Sequence, residues 1–272
     1  MSTAPLTPAH GCETCPSFRP AGLKPLGVDA TNWDYVVALA GNPNTGKSTV
    51  FNQLTGLRQH TGNWPGKTVV RAEGGFQFGG RKFKLVDLPG TYSLLATSPD
   101  EEVARNFLLF GQPDVTLAVV DATRLERNLN LVLQILEITP RVVVCLNLVD
   151  QARRLGLQVD ERRLARDLGV PVVPAAARYR QGIDLLLQTV HDVATGKTQC
   201  RGYRSEIQNQ EVNRAIDPLV AAIQEAFPGL PNARWLALRL LDGDDRVIEA
   251  VRLGEFSEPS PTQASAALAS AS

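Results

Sequence analysis

The chain has 272 residues, 28 of them basic and 28 acidic, so its formal net charge is zero. That balance lacks the basic footprint with which proteins engage nucleic acid or an anionic membrane surface, leaving small molecules and other proteins as the expected partners. No apolar run approaches the roughly 20 residues that span a bilayer, no signal peptide opens the chain, and four cysteines are too few for a disulfide scaffold, so the expectation is a soluble, cytosolic protein.

Residues 1–34 are rich in Pro, Gly and Ser without periodicity and read as a flexible leader. His10, Cys12 and Cys15 within it are soft-metal ligand types, but a complete site needs further donors, and the expectation is an exposed reduced tail. The apolar run 35–40 predicts a buried parallel strand, and residues 48–54 continue with helical spacing. Between them Gly41-Asn42-Pro43-Asn44-Thr45-Gly46-Lys47-Ser48 fits G-x-x-x-x-G-K-[ST] in its required setting of strand, turn and helix. Gly41 and Gly46 let the backbone wrap an anion with its N–H groups inward at a helix N-terminus. Lys47 adds a point charge for the outer phosphates, and the Ser48 hydroxyl can bind a magnesium ion that bridges two of them. The ligand expected is a nucleoside triphosphate.

A polar, glycine-bearing stretch at 58–67 follows, then extended segments at 68–73 and 76–87 around the pairs Gly74-Gly75 and Gly79-Gly80, which predict an antiparallel hairpin. Asp87-Leu88-Pro89-Gly90 closes the second segment: Asp87 can hold magnesium through a water, and Gly90 can offer its N–H to a γ-phosphate. Thr68 supplies a further hydroxyl for the magnesium. Ser98-Pro99-Asp100-Glu101 is a capped helix start, with the helix running to residue 110. Strands at 115–120, 141–147 and 170–173 then alternate with helices at 125–138, 160–168 and 183–193, which predicts a mostly parallel sheet of six or seven strands covered on both faces. Cys145 reads as a small hydrophobe in its strand, Cys200 is uninformative, and His60 and His191 read as a solvated loop residue and a helix-surface residue. From residue 197 only helical spacing remains, with helices expected at 212–227, 235–241 and 246–251, before a Ser, Ala and Pro-rich tail at 255–272.

Asn147-Leu148-Val149-Asp150 follows a buried strand where a doubly wound sheet opens toward ligand. The Asp150 carboxylate can accept both hydrogens that guanine presents at N1 and N2, whereas adenine would leave it unpaired. The motifs in this order resemble translation-factor-related GTPases with a Ras-like P-loop fold. The details resemble the cytosolic G domain of FeoB ferrous iron transporters: Gly62-Asn63-Trp64-Pro65-Gly66-Lys67-Thr68-Val69, Asp87 through Leu94, Asp121-Ala122-Thr123-Arg124-Leu125-Glu126-Arg127-Asn128-Leu129, and Ala233 through Leu241. The likeness spans roughly 34–253 and implies a leader at 1–34, a G domain at 35–196, a small all-α, GDI-like subdomain at 197–254 and a tail at 255–272.

Carried over by residue, the resemblance implies a GTP/GDP site built from Gly41, Asn42, Asn44, Thr45, Gly46, Lys47, Ser48, Thr49, Gly90, Asn147, Asp150, Ala176, Ala177 and Arg178. Magnesium would be held by Ser48, Thr68 and Asp87, and Asn44 would help coordinate an activating potassium ion. Asn44, Lys47, Gly66 and Thr68 are the implied catalytic set. There are two departures from the family pattern. Alanine replaces the usual serine in the loop Val173-Pro174-Ala175-Ala176-Ala177-Arg178, which points to a looser loop and faster nucleotide exchange. Thr91 stands where many GTPases place a water-orienting glutamine, so hydrolysis is expected to be slow, with water held by backbone near residues 64–68. Trp64 is either the anchor of that loop or an exposed apolar residue. The implied role is a GTPase switch for ferrous iron transport at the inner face of the cell membrane. Its partner would be a membrane permease, either downstream in the same chain or in trans, and self-association is compatible with the sequence. A ribosome- or RNA-associated assembly GTPase, and a nucleotide-dependent protein-binding module with little turnover, are the alternatives.

Overall fold

The computed structural model describes residues 23, 26–56, 59–95, 98–201, 203, 210–227, 230 and 232–253. The expectations for His10, Cys12, Cys15 and the tail at 255–272 lie outside the described residues. Seven strands form one sheet in the order β2-β3-β4-β1-β5-β6-β7. They are β1 (Tyr35–Gly41), β2 (Gln59–Asn63), β3 (Val70–Phe78), β4 (Arg81–Asp87), β5 (Val115–Asp121), β6 (Val142–Asn147) and β7 (Val172–Pro174). From β4 to β7 every neighbouring pair is parallel, while β2 and β3 extend the β4 edge as antiparallel strands.

Every residue of β1 is buried, as a central strand covered on both faces requires. Its side chains divide by parity. Val36, Ala38 and Ala40 join an apolar cluster with Phe107 and Leu108 of α2 (Pro99–Phe110) and Leu131 and Ile135 of α3 (Leu125–Ile138). Tyr35, Val37 and Leu39 join the other cluster, with Phe51 of α1 (Lys47–Thr55) and Leu186 and Val190 of α6 (Ile183–Ala194). Helix α2 starts as its sequence dictates, with Pro99 in the first turn and Ser98 Oγ accepting the Glu101 N–H at 3.2 Å. Two short helices, α4 (Val149–Arg154) and α5 (Glu161–Leu168), flank the far edge; α4 was not expected from the sequence.

The hairpin forms, but its turn is at Gly79 and Gly80 alone, both with positive φ. Gly74 and Gly75 instead lie inside β3, opposite Leu85 and Lys84. Gly75 is glycine because the Trp33 indole occupies the space a Cβ would need. Strand β2 lies in the polar, glycine-bearing stretch, where Gln59 to Asn63 offer no apolar alternation; it is an edge strand fixed by pairing with β3. His191 is not a surface residue: it is 7% exposed, with its ring packed edge-on against Phe78. Cys145 is fully buried, and burial pushes its thiol up to about 12, which fits the expected apolar role.

The packed chain also starts ahead of residue 35. Leu23, Val28 and Ala30 are buried in the same cluster as α2. Beyond the sheet, α7 (Gln210–Ala226), α8 (Ala233–Leu241) and α9 (Asp245–Arg252) supply Ile216, Ile223, Trp235, Leu236 and Val247 to that cluster, so the helical subdomain shares an apolar core with the α2 face. Among the described residues no helix is long and apolar enough to cross a membrane.

Candidate nucleotide-binding site

Strand β1 has β4 on one side and β5 on the other, so successive crossovers leave it in opposite directions and open a crevice beyond its carboxyl end. Gly41 ends β1, Asp87 ends β4 and Asn147 ends β6, which places three of the expected motifs on that one rim. The loop from Gly41 to α1 needs two left-handed residues, Asn44 at φ 65° and Gly46 at φ 82°. Asparagine tolerates that region and glycine enters it freely, which is the local reason for the Asn-x-Gly spacing. A Cβ on Gly46 would also run into the Asn147 amide. Inside the loop, Thr45 Oγ1 donates to the Asn42 carbonyl at 2.9 Å. Asn42 is 2% exposed, and neither polar atom of its side chain has a hydrogen-bond partner. A buried carboxamide of this kind calls for a polar partner, and the glycine-lined cradle is of the type that takes a phosphate.

Lys47 Nζ donates to Asp87 Oδ1 at 2.5 Å and to the Leu88 carbonyl at 2.7 Å, which ties the start of α1 to the end of β4. Burial pushes the Asp87 carboxyl above its usual value, and the Lys47 charge offsets part of that rise. The segment after Asp87 is held against the same loop: the Thr91 N–H donates to the Gly41 carbonyl at 3.3 Å, and Gly90 lies beside Pro43, which a Cβ there would meet at ordinary contact distance. Gln134 of α3 accepts the Leu94 N–H at 2.6 Å, a contact for which no local sequence signal exists.

Asn147 does more than its motif announces. It is 1% exposed; its Nδ2 donates to the Thr45 carbonyl at 2.9 Å and its Oδ1 accepts the Ala177 N–H at 3.0 Å. The phosphate loop and the loop after β7 are therefore joined through one amide. Ala176 pairs with Gln181 in an isolated antiparallel bridge, and the Ala175 carbonyl accepts the Val149 N–H at 3.3 Å. These bonds are all to backbone groups of the loop. Asp150 sits in the first turn of α4 with Oδ2 against Arg154 at 2.5 Å, and Arg178 is exposed at the loop's outer edge.

The structure thus gathers residues 41–49, Asp87, Gly90, Asn147, Asp150 and 176–178 at one end of the sheet. Thr68 and Gly66 stand apart from them. Both are exposed, in a loop closed on itself by Trp64 N–H to Val69 O and Lys67 N–H to Trp64 O, each 3.0 Å. Lys67 pairs with Glu102 of α2 at 2.8 Å. Trp64 resolves in favour of an anchor: it is 3% exposed and packs edge-on against Phe107 with centroids 5.5 Å apart. Where α2 meets the helical subdomain, Arg105, 1% exposed, pairs with Asp244 at 2.6 Å, and Arg246 stacks over Phe110. Burial lowers the Arg105 guanidinium from its usual value, with Asp244 opposing.

Residues 35–190 match the family described as ferrous iron transport protein B. The chain belongs to the FeoB family. Residues 209–271 match the FeoB cytosolic helical domain, which runs past the expected end of the subdomain at residue 254. The chain is 42% identical over 214 residues to the Fe(2+) transporter FeoB of Salmonella typhimurium, covering 76% of this chain and 27% of that protein. With the Escherichia coli K12 transporter it shares 40% over 227 residues, or 82% of this chain and 28% of that one. It therefore spans little more than a quarter of the curated relatives it matches. Among solved structures, the GDP-form cytosolic domain of T. maritima FeoB aligns with TM-score 0.73 at 36% identity, over 81% of this chain and 85% of that one. The cytosolic domain of L. pneumophila FeoB aligns with TM-score 0.71 at 34% identity, over 79% and 84%. The seven-stranded, mostly parallel sheet followed by helices is the fold of these FeoB cytosolic domains.

Proposed function

We propose that this chain binds GTP, hydrolyses it slowly, and acts as the switch that regulates ferrous iron transport through a membrane permease. One observation carries the reading: phosphate loop, Asp87-Leu88-Pro89-Gly90, Asn147-x-x-Asp150 and the 175–178 loop converge beyond the carboxyl end of β1, on a chain of the FeoB family. Relatives whose cytosolic domain was solved in a GDP form support guanine nucleotide as the ligand. The G domain would occupy 35–196 and the helical subdomain 197–254.

The residues present fit a magnesium nucleotide. Main-chain N–H groups at 44–48 and Lys47 would bind the phosphates, Asp150 the guanine edge, and Ala177 and Arg178 the base's outer side. Ser48, Asp87 and Thr68 would hold magnesium, which neutralises charge on the β- and γ-phosphates when bound. Asn44 would contribute to a potassium site. Thr91 supplies no base, because an alcohol is too weakly basic to take a proton from water, and this hydroxyl is turned to Ser93, donating to its carbonyl at 2.7 Å. Water would instead be oriented by backbone between Trp64 and Thr68, which supports slow turnover. Binding titrations with GTP and ATP, and phosphate release in potassium against sodium, test the reading. Equal affinity for ATP would overturn guanine selection, and bound GTP without phosphate release would favour the nucleotide-dependent binding module.

A further inference from the structure

The segment ahead of β1 is docked at three separate points. The Leu26 carbonyl accepts from Arg71 Nη1 at 2.9 Å, the Asp29 carbonyl accepts from Lys84 Nζ at 2.7 Å, and Trp33 fills the space left by Gly75. Val28 is 1% exposed, and the Leu23 and Leu26 side chains reach Gly111 just after α2. Residue 23 and residues 26–33 thus form a strap between the end of α2 and β3. This strap lies outside the FeoB match, which begins at residue 35.

Arg71 joins the strap to the loop that carries Thr68. Its guanidinium lies 5.4 Å from the Trp64 ring centroid, and its Nε faces Glu73 Oε1 at 2.8 Å. Glu73 Oε2 in turn pairs with Lys84 at 2.6 Å, so both cations that hold the strap share one carboxylate. The fit is close. A Cβ on Gly27, whose φ is +74°, would lie 2.6 Å from Arg71 Nη1 and 3.1 Å from Pro65 Cγ. Strap, Arg71, Trp64 and Phe107 form one contiguous stack between the leader and α2.

We propose that Arg71 is a positioning residue through which the strap at 26–33 holds the Trp64–Val69 loop in its self-closed, α2-docked arrangement. In that arrangement Thr68 is exposed, with no hydrogen bond to the phosphate loop among the described residues. Drawing Thr68 to a magnesium triphosphate requires Trp64 to loosen, so the strap biases the site toward diphosphate. This regulatory step rests on the GTP-switch reading above.

The test uses the full chain, with the link broken from either side. Arg71→Met removes the cation, Gly27→Val displaces the strap from it, and Arg71→Lys retains the charge. Hydrogen exchange at the Trp64 and Lys67 amides, read without nucleotide, reports the clamp. Exchange at both should quicken at least tenfold in Arg71→Met and Gly27→Val and recover partly in Arg71→Lys, while β1 and β5 amides stay protected. Affinity for a non-hydrolysable GTP analogue relative to GDP should rise about tenfold in the same two variants, within the usual span of coupling between sites. Unchanged exchange in Gly27→Val overturns the clamp even if Arg71→Met unfolds. Faster exchange with an unchanged affinity ratio overturns the bias. Failure of the wild-type chain to bind either nucleotide overturns the proposed function, and the bias with it, and is visible before any variant is compared.

Discussion

The phosphate-loop half of the site and the part built on residues 64–69 and α2 are held by different bonds. Around the phosphate loop, Thr45 to Asn42 and Asn147 to Thr45 and Ala177 are short, buried bonds to backbone. Around residues 64–69, and where α2 meets the helices, long charged side chains span the gaps: Lys67 to Glu102, Arg71 over Trp64, Arg105 to Asp244. Backbone bonds between rigid elements cost little entropy to keep, whereas each long side chain must be ordered and is easily exchanged for another partner. On the proposed function, the first half would hold the ligand and the second would report on it.

The sharpest way to break that contrast is Lys47→Ala. It should lower triphosphate affinity about a thousandfold, or ~4 kcal/mol, for the loss of charged hydrogen bonds, and a fluorescent-analogue titration measures it. Retained affinity would mean the preformed half is not the phosphate site. At the junction, Asp244→Ala leaves Arg105 buried and charged, and should destabilise the fold by about 3 kcal/mol in a denaturant melt. Arg105→Met combined with Asp244→Leu should recover most of that loss, since two apolar groups leave no orphan charge. Asp150→Asn should exchange guanine for xanthine preference, with GTP affinity falling about a hundredfold, ~2.7 kcal/mol, in competition binding. The smallest effect is expected at the loop's one left-handed asparagine: Asn44→Ala should remove a potassium stimulation of about tenfold in phosphate release, ~1.4 kcal/mol in barrier. Equal stimulation in the variant would assign the cation elsewhere.

The rigid half was the legible one. Phosphate loop, Asp87-to-Gly90 and Asn147-x-x-Asp150 are contiguous motifs at strand ends, so spacing alone places them, and the apolar runs of β1, β5 and β6 needed no tertiary help. The other half depends on contacts between residues far apart in sequence. Nothing near Gly75 announces that Trp33 will lie over it, and a glycine pair by itself looks like a turn. β2 is polar and exists through its pairing with β3. His191, on α6, is buried against Phe78 at the end of β3, and the strap resembles a leader because its apolar residues, among them Leu23, Leu26 and Val28, show no periodicity. Arg105 carries no mark in the sequence of the Asp244 it meets 139 positions later.

Asn147 also bears on how such a protein could be re-engineered. Its side chain spends both ends of its amide on the chain itself, one on a loop 102 positions earlier and the other on a loop 30 positions later. Aspartate there would turn a donor into a second acceptor facing the Thr45 oxygen, and alanine would strand two inward-facing polar groups. Selectivity for a different purine is therefore best sought at Asp150, where one rim carboxylate can be swapped while the keystone between the two loops is left alone.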